Sequence, residues 1–195
     1  MSNELFRGKL VRLSSEDPQV MAEAFDRWNQ NSEYFRLLDS DPARLWSAKK
    51  IREWFEKDLD SALPNNLLFS IRTLAEDKLI GFIAFDGLNW TDRDSFVAIG
   101  IGDEAFWSKG YGSDAMRLML RYGFTELNLH RISLDVFEQN PRGIRSYEKC
   151  GFKHEGRIRD FLLRDGRRSD MLFMGILRDE WNKLEHKLSD HFQKP

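Results

Sequence analysis

The sequence predicts an α+β fold: a mixed, mostly antiparallel seven-stranded sheet flanked by helices, with one parallel crossover. Three observations carry that expectation. Apolar runs of strand length at Asn66–Leu74, Leu79–Phe85 and Ser95–Ile101 are joined by short polar loops, the pattern of an antiparallel meander. The longest helical pattern, Tyr111–Asn128, stands between Ser95–Ile101 and a further strand at Ile132–Phe137, and a strand, helix and strand in that order make a parallel crossover. Two closing strands, Lys153–Leu163 and Ser169–Leu177, are split by the hairpin signal Arg164-Asp165-Gly166.

The remaining elements follow in order. Lys9–Ser14 alternates weakly and reads as the first strand. Pro18 suits the first turn of a helix over Pro18–Trp28, where Val20, Met21, Ala24 and Phe25 share a face. Asn31–Trp46 shows no periodicity and is expected to be irregular, with a turn at Asp41-Pro42. A second amphipathic helix covers Ser47–Asp60, with Ala48, Ile51, Phe55 and Leu59 on one stripe. Within Tyr111–Asn128 the positions Met116, Met119, Leu120, Gly123 and Leu127 recur at helical spacing. Asn140 and Pro141 are the cap and first-turn residue of a short helix that Gly151 stops. Leu177, Trp181, Leu184 and Leu188 give a C-terminal helix a stripe that fits either the chain's own sheet or a second copy in a homodimer. Residues 178–195 thus read as a helical extension of one domain over 1–195.

With 30 basic and 32 acidic residues the formal net charge is -2, so no overall field favours a nucleic-acid backbone. The longest apolar runs are strand-sized, short of the ~20 residues that a membrane-crossing helix needs, so no membrane partner is expected. Met1–Leu10 carries Glu4, Arg7 and Lys9 and lacks the apolar centre of a secretory signal, which with the single Cys150 points to a reducing, cytoplasmic setting. One cysteine forbids an internal disulfide, and His130, His154, His186 and His191 have no ligand spacing, so no metal is expected. Cys150 closes a short helix, where the dipole disfavours a thiolate, and reads as packing.

The sharpest local feature is Trp107-Ser-Lys-Gly110-Tyr-Gly112-Ser-Asp-Ala115, a Gly-x-Gly entering the long helix. A helix N-terminus offers unpaired N–H groups and partial positive charge, and glycines let a phosphate approach that backbone. The same pair equally suits a tight strand-to-helix turn. Gly110 to Ala115 also fits the dinucleotide pattern Gly-x-Gly-x-x-Ala, with Asp135 about where a ribose-binding acid would stand. Context argues against that reading, because Asp103–Lys109 intervenes after the strand and repeated strand-helix units are missing. Ser113 and Asp114 after Gly112 exclude a Walker lysine. The second feature, Asn140-Pro-Arg-Gly143-Ile-Arg-Ser-Tyr147-Glu-Lys-Cys-Gly151-Phe152, is a capped helix. Gly143 within it costs about 1 kcal/mol relative to Ala and hints at a close approach.

These two motifs, in this order and about 30 residues apart, resemble the GNAT superfamily of acetyl-CoA-dependent N-acetyltransferases. The family's cofactor motif, Gln/Arg-x-x-Gly-x-Gly/Ala, is matched at Gly110 and Gly112, with Trp107 in the Gln/Arg position. Phe106-Trp107-Ser-Lys-Gly-Tyr-Gly is most similar to the RimJ/RimL branch, which acetylates ribosomal-protein N-termini. Asn140, Ile144-Arg145 and Glu148-Lys149-x-Gly151-Phe152 match that branch's second motif. Gly143 stands where the branch usually has Ser. Tyr147 stands where the branch often has Leu or Val, and it matches the general-acid tyrosine of many other GNAT enzymes, polyamine acetyltransferases among them.

The resemblance implies direct transfer of the acetyl group of acetyl-CoA to a primary amine within a ternary complex. A protein N-terminal amine is the first expectation; a polyamine, an aminoglycoside, or a silent acyl-CoA-binding module are the alternatives. It further implies that Ser95–Ile101 and Ile132–Phe137 splay around the pantetheine arm, with Ile99 and Ile101 beside it, a bulge at Gly100 and Gly102, and an N–H near Ile101 polarising the thioester. The amides of Lys109, Gly110, Tyr111, Gly112, Ser113 and Asp114 would hold the pyrophosphate, Asn140 the pantetheine or its bound water, and Arg145 completes the cofactor-binding set. Tyr147 is the candidate general acid, since a phenol can donate to a departing thiolate. Glu33 is the candidate base, with Asp86 considered by region, while Asp135 reads as a strand residue that pairs or faces the rim.

Overall fold

The computed structural model describes residues 4–58 and 65–191. Seven strands form one sheet, ordered β1-β2-β3-β4-β5-β7-β6. β1 (Val11–Ser14), β2 (Leu67–Thr73), β3 (Leu79–Asn89) and β4 (Asp94–Ile101) run antiparallel in sequence order. β5 (Arg131–Phe137) lies parallel to β4, and β7 (Arg167–Leu177) inserts between β5 and the edge strand β6 (Lys153–Arg164). Meander, crossover and hairpin are therefore all present. β3 runs on to Asn89, so the segment from Asp86 expected to turn is still in the ladder as far as the pair Asn89↔Asp94.

Helices sort to the two faces of the sheet. α4 (Tyr111–Thr125), α5 (Pro141–Lys149) and α6 (Arg178–His191) cover a core that includes Ile83, Phe85, Met119, Phe124, Ile132 and Met174. α1 (Pro18–Asn29), α2 (Ser32–Leu38) and α3 (Ala48–Asp58) cover a smaller one around Trp28, Tyr34, Ile51 and Phe82. Each fully buried side chain of this size contributes about 1.5–3 kcal/mol, so the α4 face holds the sheet together and the α1 face adds to it.

Local chemistry sets the helix starts. Asp17 accepts the Gln19 N–H at 2.8 Å ahead of Pro18. The stretch expected to be irregular contains α2, because Asn31 accepts the N–H groups of Glu33 and Tyr34 at 3.0 and 3.2 Å and nucleates a turn. Its seven residues are too few to print a periodicity, and only Tyr34 is buried. α4 stops at Thr125, short of the expected Asn128. Trp181 packs on Phe124 with ring centroids 5.3 Å apart and Leu184 lies over Gly151, so these two members of the C-terminal stripe pack within their own chain. The side chains of Phe55 and Leu188, and all of Leu59 and Asp60, lie outside the described residues.

Candidate active site

β4 and β5 pair only from Asp94↔Arg131 to Phe96↔Ser133 and then diverge. The Gly102 N–H donates to the Ile80 carbonyl of β3 at 2.9 Å. By the alternation of an antiparallel ladder Gly100 also bonds toward β3, and Ile99 and Ile101 turn their N–H and C=O groups to the gap. The Trp107 indole N–H takes the Ile101 carbonyl at 2.5 Å. What faces the opening is the Ile101 N–H and both backbone groups of Ile99. A cavity of about 340 Å³ occupies the gap, lined by Gly110, Gly112, Ser113, Asn140 and Tyr147 on one side and Tyr34, Leu37 and Leu38 on the other. It passes between the strands and touches both helical layers.

On the α4 side the two glycines have different causes. Gly110 is the helix cap with φ +90°, a conformation that disfavours any side chain. Gly112 has no such constraint: a Cβ there would meet only Ile101 and Ile99, at 3.6 and 3.9 Å. Folding does not demand the second glycine, whereas a ligand lying against the first amides of the helix does. Lys109 and Tyr111 are outside the cavity lining: the Lys109 side chain is exposed, and the Tyr111 ring stacks edge-on to Phe106 at 5.1 Å. Ser113 Oγ bridges α4 to α5 through Ser146 Oγ at 2.7 Å.

Asp114 departs from the expected cofactor role. Its carboxylate accepts the N–H groups of Lys9, Leu10 and Val11 at 2.9, 2.7 and 3.1 Å, and its own N–H donates to the Gly110 carbonyl at 2.9 Å. With both ends engaged and the residue buried, Asp114 anchors the chain ahead of β1 to α4 and offers nothing to the cavity.

α5 supplies the cations. Asn140 accepts the Gly143 N–H at 2.9 Å and lines the cavity, and a Cβ on Gly143 would come within 2.8 Å of the Asn140 Nδ2, which accounts for the glycine. Arg142, Arg145 and Lys149 all line the cavity. Arg142, and Lys149 of the second motif, join the expected Arg145 here, and the spacing of the three, i, i+3 and i+7, places them on one helical face. Arg142 lies 3.8 Å above the Trp107 ring; burial draws its pKa down and Glu33 opposes that.

Tyr147 closes the cavity at the α4–α5 junction, its ring edge-on to Phe152 at 6.1 Å. Burial, with the charges of Asp135 and Cys150 behind it, pushes its phenol up to about 12. Cys150 is packing, as expected: it is buried, its thiol points at the Ser113 carbonyl at 3.6 Å, and burial pushes it up to about 11.

The α1–α2 side holds the surprises. Gly100 and Gly102 are not a bulge, for the register of β3 and β4 shifts elsewhere, between Asp86 and Asn89. They permit close approach instead: a Cβ on Gly102 would collide with the Trp28 ring, and one on Gly100 would fall 2.6 Å from the Tyr34 hydroxyl. Tyr34 is 4% exposed, lines the cavity, and its hydroxyl has no hydrogen-bond partner. Glu33, the expected base, is exposed and outside the lining, with its charge felt at Arg142 on the rim, and Asp86 is exposed and outside the lining as well. Asp135 sits on the stretch of β5 that has parted from β4, exposed and likewise outside the lining, with its charge felt at Tyr147; desolvation raises its pKa. The β6–β7 hairpin curls over this face, where Asp165 pairs with Arg36 and Arg164 donates to the carbonyls of Asp39 and Asp41 at 2.6 and 3.1 Å.

Bare helix amides, a free strand edge, three cations and an orphaned buried hydroxyl together fit a long anionic thioester. Among the described residues no group of three or more His, Cys, Asp or Glu side chains gathers as a metal cage, and no helix is long and apolar enough to cross a membrane.

Comparison with known proteins points the same way. The Acetyltransferase (GNAT) domain family model matches residues 7–153. The chain is 35% identical over 107 residues to the spermidine N(1)-acetyltransferase of Vibrio cholerae, covering 55% of this chain and 61% of that protein. It is 31% identical over 113 residues to the uncharacterized N-acetyltransferase p20 of Bacillus licheniformis, covering 58% and 63%. The matched stretch thus spans about three fifths of the length of these curated relatives. Among solved structures, spermidine N-acetyltransferase from Vibrio cholerae in complex with CoA and spermine superposes with a TM-score of 0.74 at 25% identity, over 88% of this chain and 96% of that one. A GNAT-family acetyltransferase from Bacillus anthracis shares the fold, with a TM-score of 0.73 at 21% identity over 89% and 98%.

Proposed function

Because this chain belongs to the GNAT acetyltransferase domain family, we propose that it transfers the acetyl group of acetyl-CoA to a primary amine, and that the amine is a polyamine or similar small cation. The observation that carries the reading is the broken β4–β5 ladder, whose free Ile99 and Ile101 edge lies beside the first amides of α4. In this arrangement the amides of Gly110 to Ser113 and the cations Arg142, Arg145 and Lys149 hold the phosphates. Asn140 and the Ile99 edge hold the pantetheine arm. The amine enters from the α2 side.

The named spermidine acetyltransferases support a small cationic acceptor over the protein N-terminus first expected. The RimJ/RimL-like sequence around Trp107 is the observation on the other side. Trp107, however, is engaged with the Ile101 carbonyl and Arg142, which ties its identity to the end of β4 and leaves the acceptor unspecified.

The uncharged amine attacks the thioester carbon, forming a C–N bond as the C–S bond breaks, and the surplus proton on nitrogen passes to water. Tyr147 faces the departing sulfur. Full proton transfer from a phenol at about 12 to a thiolate whose acid has a pKa near 8.5 costs about 5 kcal/mol, so Tyr147 acts by hydrogen bonding to the sulfur while keeping its proton.

A thiol-release assay with acetyl-CoA against spermidine, spermine, aminoglycosides and N-terminal peptides tests the proposal. Turnover with the polyamines and none with the peptides is expected. Turnover confined to peptides would move the acceptor back to protein N-termini, and acetyl-CoA binding without thiol release across the panel would leave a silent binding module.

A further inference from the structure

We propose that Tyr34 is a catalytic residue: its hydroxyl donates a hydrogen bond to the acetyl carbonyl oxygen, together with the Ile101 N–H, and stabilises the negative charge that gathers there as the amine attacks. The inference rests on the acetyl-transfer reading and adds to it a residue that no motif identifies.

Four observations converge on this hydroxyl. It is buried without a partner in a residue that lines the cavity, and since buried hydroxyls in folded proteins are almost always bonded, the partner we assign it is a bound ligand there. Its position is set against Gly100, where the space of a Cβ is taken up by the Tyr34 oxygen at 2.6 Å. The next amide along the strand is Ile101, which turns its N–H into the gap, so the two donors belong to the same stretch of the cavity wall. The group is also held in place on every side. Asn31 caps the helix that carries it, the Trp28 ring stands edge-on at 6.3 Å, and Arg36 and the carbonyls of Asp39 and Asp41 tie that helix to the β6–β7 hairpin. Fixed donors in a water-poor site stabilise developing charge without reorganising.

The alternatives are weaker on the same grounds. A phenol this buried has its pKa raised, so it holds its proton and is no base. A neutral hydroxyl is also a weak partner for an ammonium group, which a carboxylate serves better. In the transfer, the carbonyl π pair moves onto oxygen when the C–N bond forms and returns as the C–S bond breaks with its pair going to sulfur; Tyr34 keeps its proton throughout.

Tyr34→Phe removes only the oxygen. The expected result is a fall in kcat of about 100-fold, the loss typical of one such donor, with the polyamine KM and the calorimetric Kd for acetyl-CoA nearly unchanged. The melting temperature should not fall, because the lost hydroxyl had no partner to lose. A readout independent of turnover is the infrared stretch of carbonyl-¹³C acetyl-CoA bound without amine, which should lie lower on the wild type than on Tyr34→Phe. Gly100→Ala, which drives a methyl group into the hydroxyl's position, should lower kcat in the same way. Unchanged kcat and carbonyl stretch in Tyr34→Phe, or a raised polyamine KM at unchanged kcat, would overturn the role of Tyr34 while leaving acetyl transfer standing. A wild type that neither binds acetyl-CoA nor releases thiol would overturn both.

Discussion

The two walls of the cavity are built by different means. The α4–α5 wall is backbone and charge: Gly110 and Gly112 bare the helix amides, and Arg142, Arg145 and Lys149 stand on the neighbouring helix. The α1–α2 wall is aromatic and apolar, with Tyr34, Leu37 and Leu38 lining it, Trp28 behind Tyr34, and the Tyr34 hydroxyl orphaned. One wall suits a fixed polyanion and the other a variable acceptor. Each is also tied to the sheet by a carboxylate, Asp114 for α4 and Glu16, just ahead of α1, for the other.

The contrast can be broken at the α4–α5 wall first. Gly112→Val fills the cradle, and acetyl-CoA affinity measured by calorimetry should fall by about 100-fold or more; an unchanged Kd would mean that the phosphates lie elsewhere. Tyr147→Phe should lower kcat by roughly 10- to 100-fold with little change in either substrate's affinity, since it removes one hydrogen bond to the leaving sulfur. A larger rise in the polyamine KM than fall in kcat would move Tyr147 to the acceptor side.

The two anchors sharpen the comparison with smaller effects. Asp114→Ala strands three backbone N–H groups and should cost about 3 kcal/mol in urea unfolding, while the folded variant keeps its acetyl-CoA affinity within a few-fold. A large loss of affinity at full stability would restore Asp114 to the ligand. Glu16 is held down to about 2, chiefly by its hydrogen bonds from Arg72 at 2.6 and 2.9 Å. Its folded pKa lies below its unfolded value near 4.5, so its contribution is complete above that value and lost as pH falls from 4.5 to about 2. After solvent screening this amounts to about 2 kcal/mol. Glu16→Gln should flatten that part of the acid limb, and an unaltered limb would assign it to other carboxylates.

Legibility in the sequence divides along the same line. The α4–α5 wall is local in the chain, so Gly110, Gly112, Asn140 and Tyr147 announce themselves by spacing, and the sheet follows from strand-length runs and one hairpin signal. The α1–α2 wall is not. Tyr34 rides on a helix too short for periodicity, and its burial depends on Gly100, Trp28 and Phe82, which meet it only after folding. Asp114 misleads for the opposite reason: it sits inside the phosphate motif, but the N–H groups it serves come from residues 9–11, and nothing in the local sequence shows that contact. The Gly100 and Gly102 pair signals a special backbone in either reading, and only packing distinguishes close approach from a bulge.

The proposed arrangement, with one wall for each substrate, predicts that transfer occurs in a ternary complex. Initial velocities with acetyl-CoA and spermidine varied together test this most directly. Intersecting double-reciprocal lines are predicted. Parallel lines, the mark of an acetyl group parked on the protein before the amine arrives, or no thiol release with spermidine at all, would contradict it.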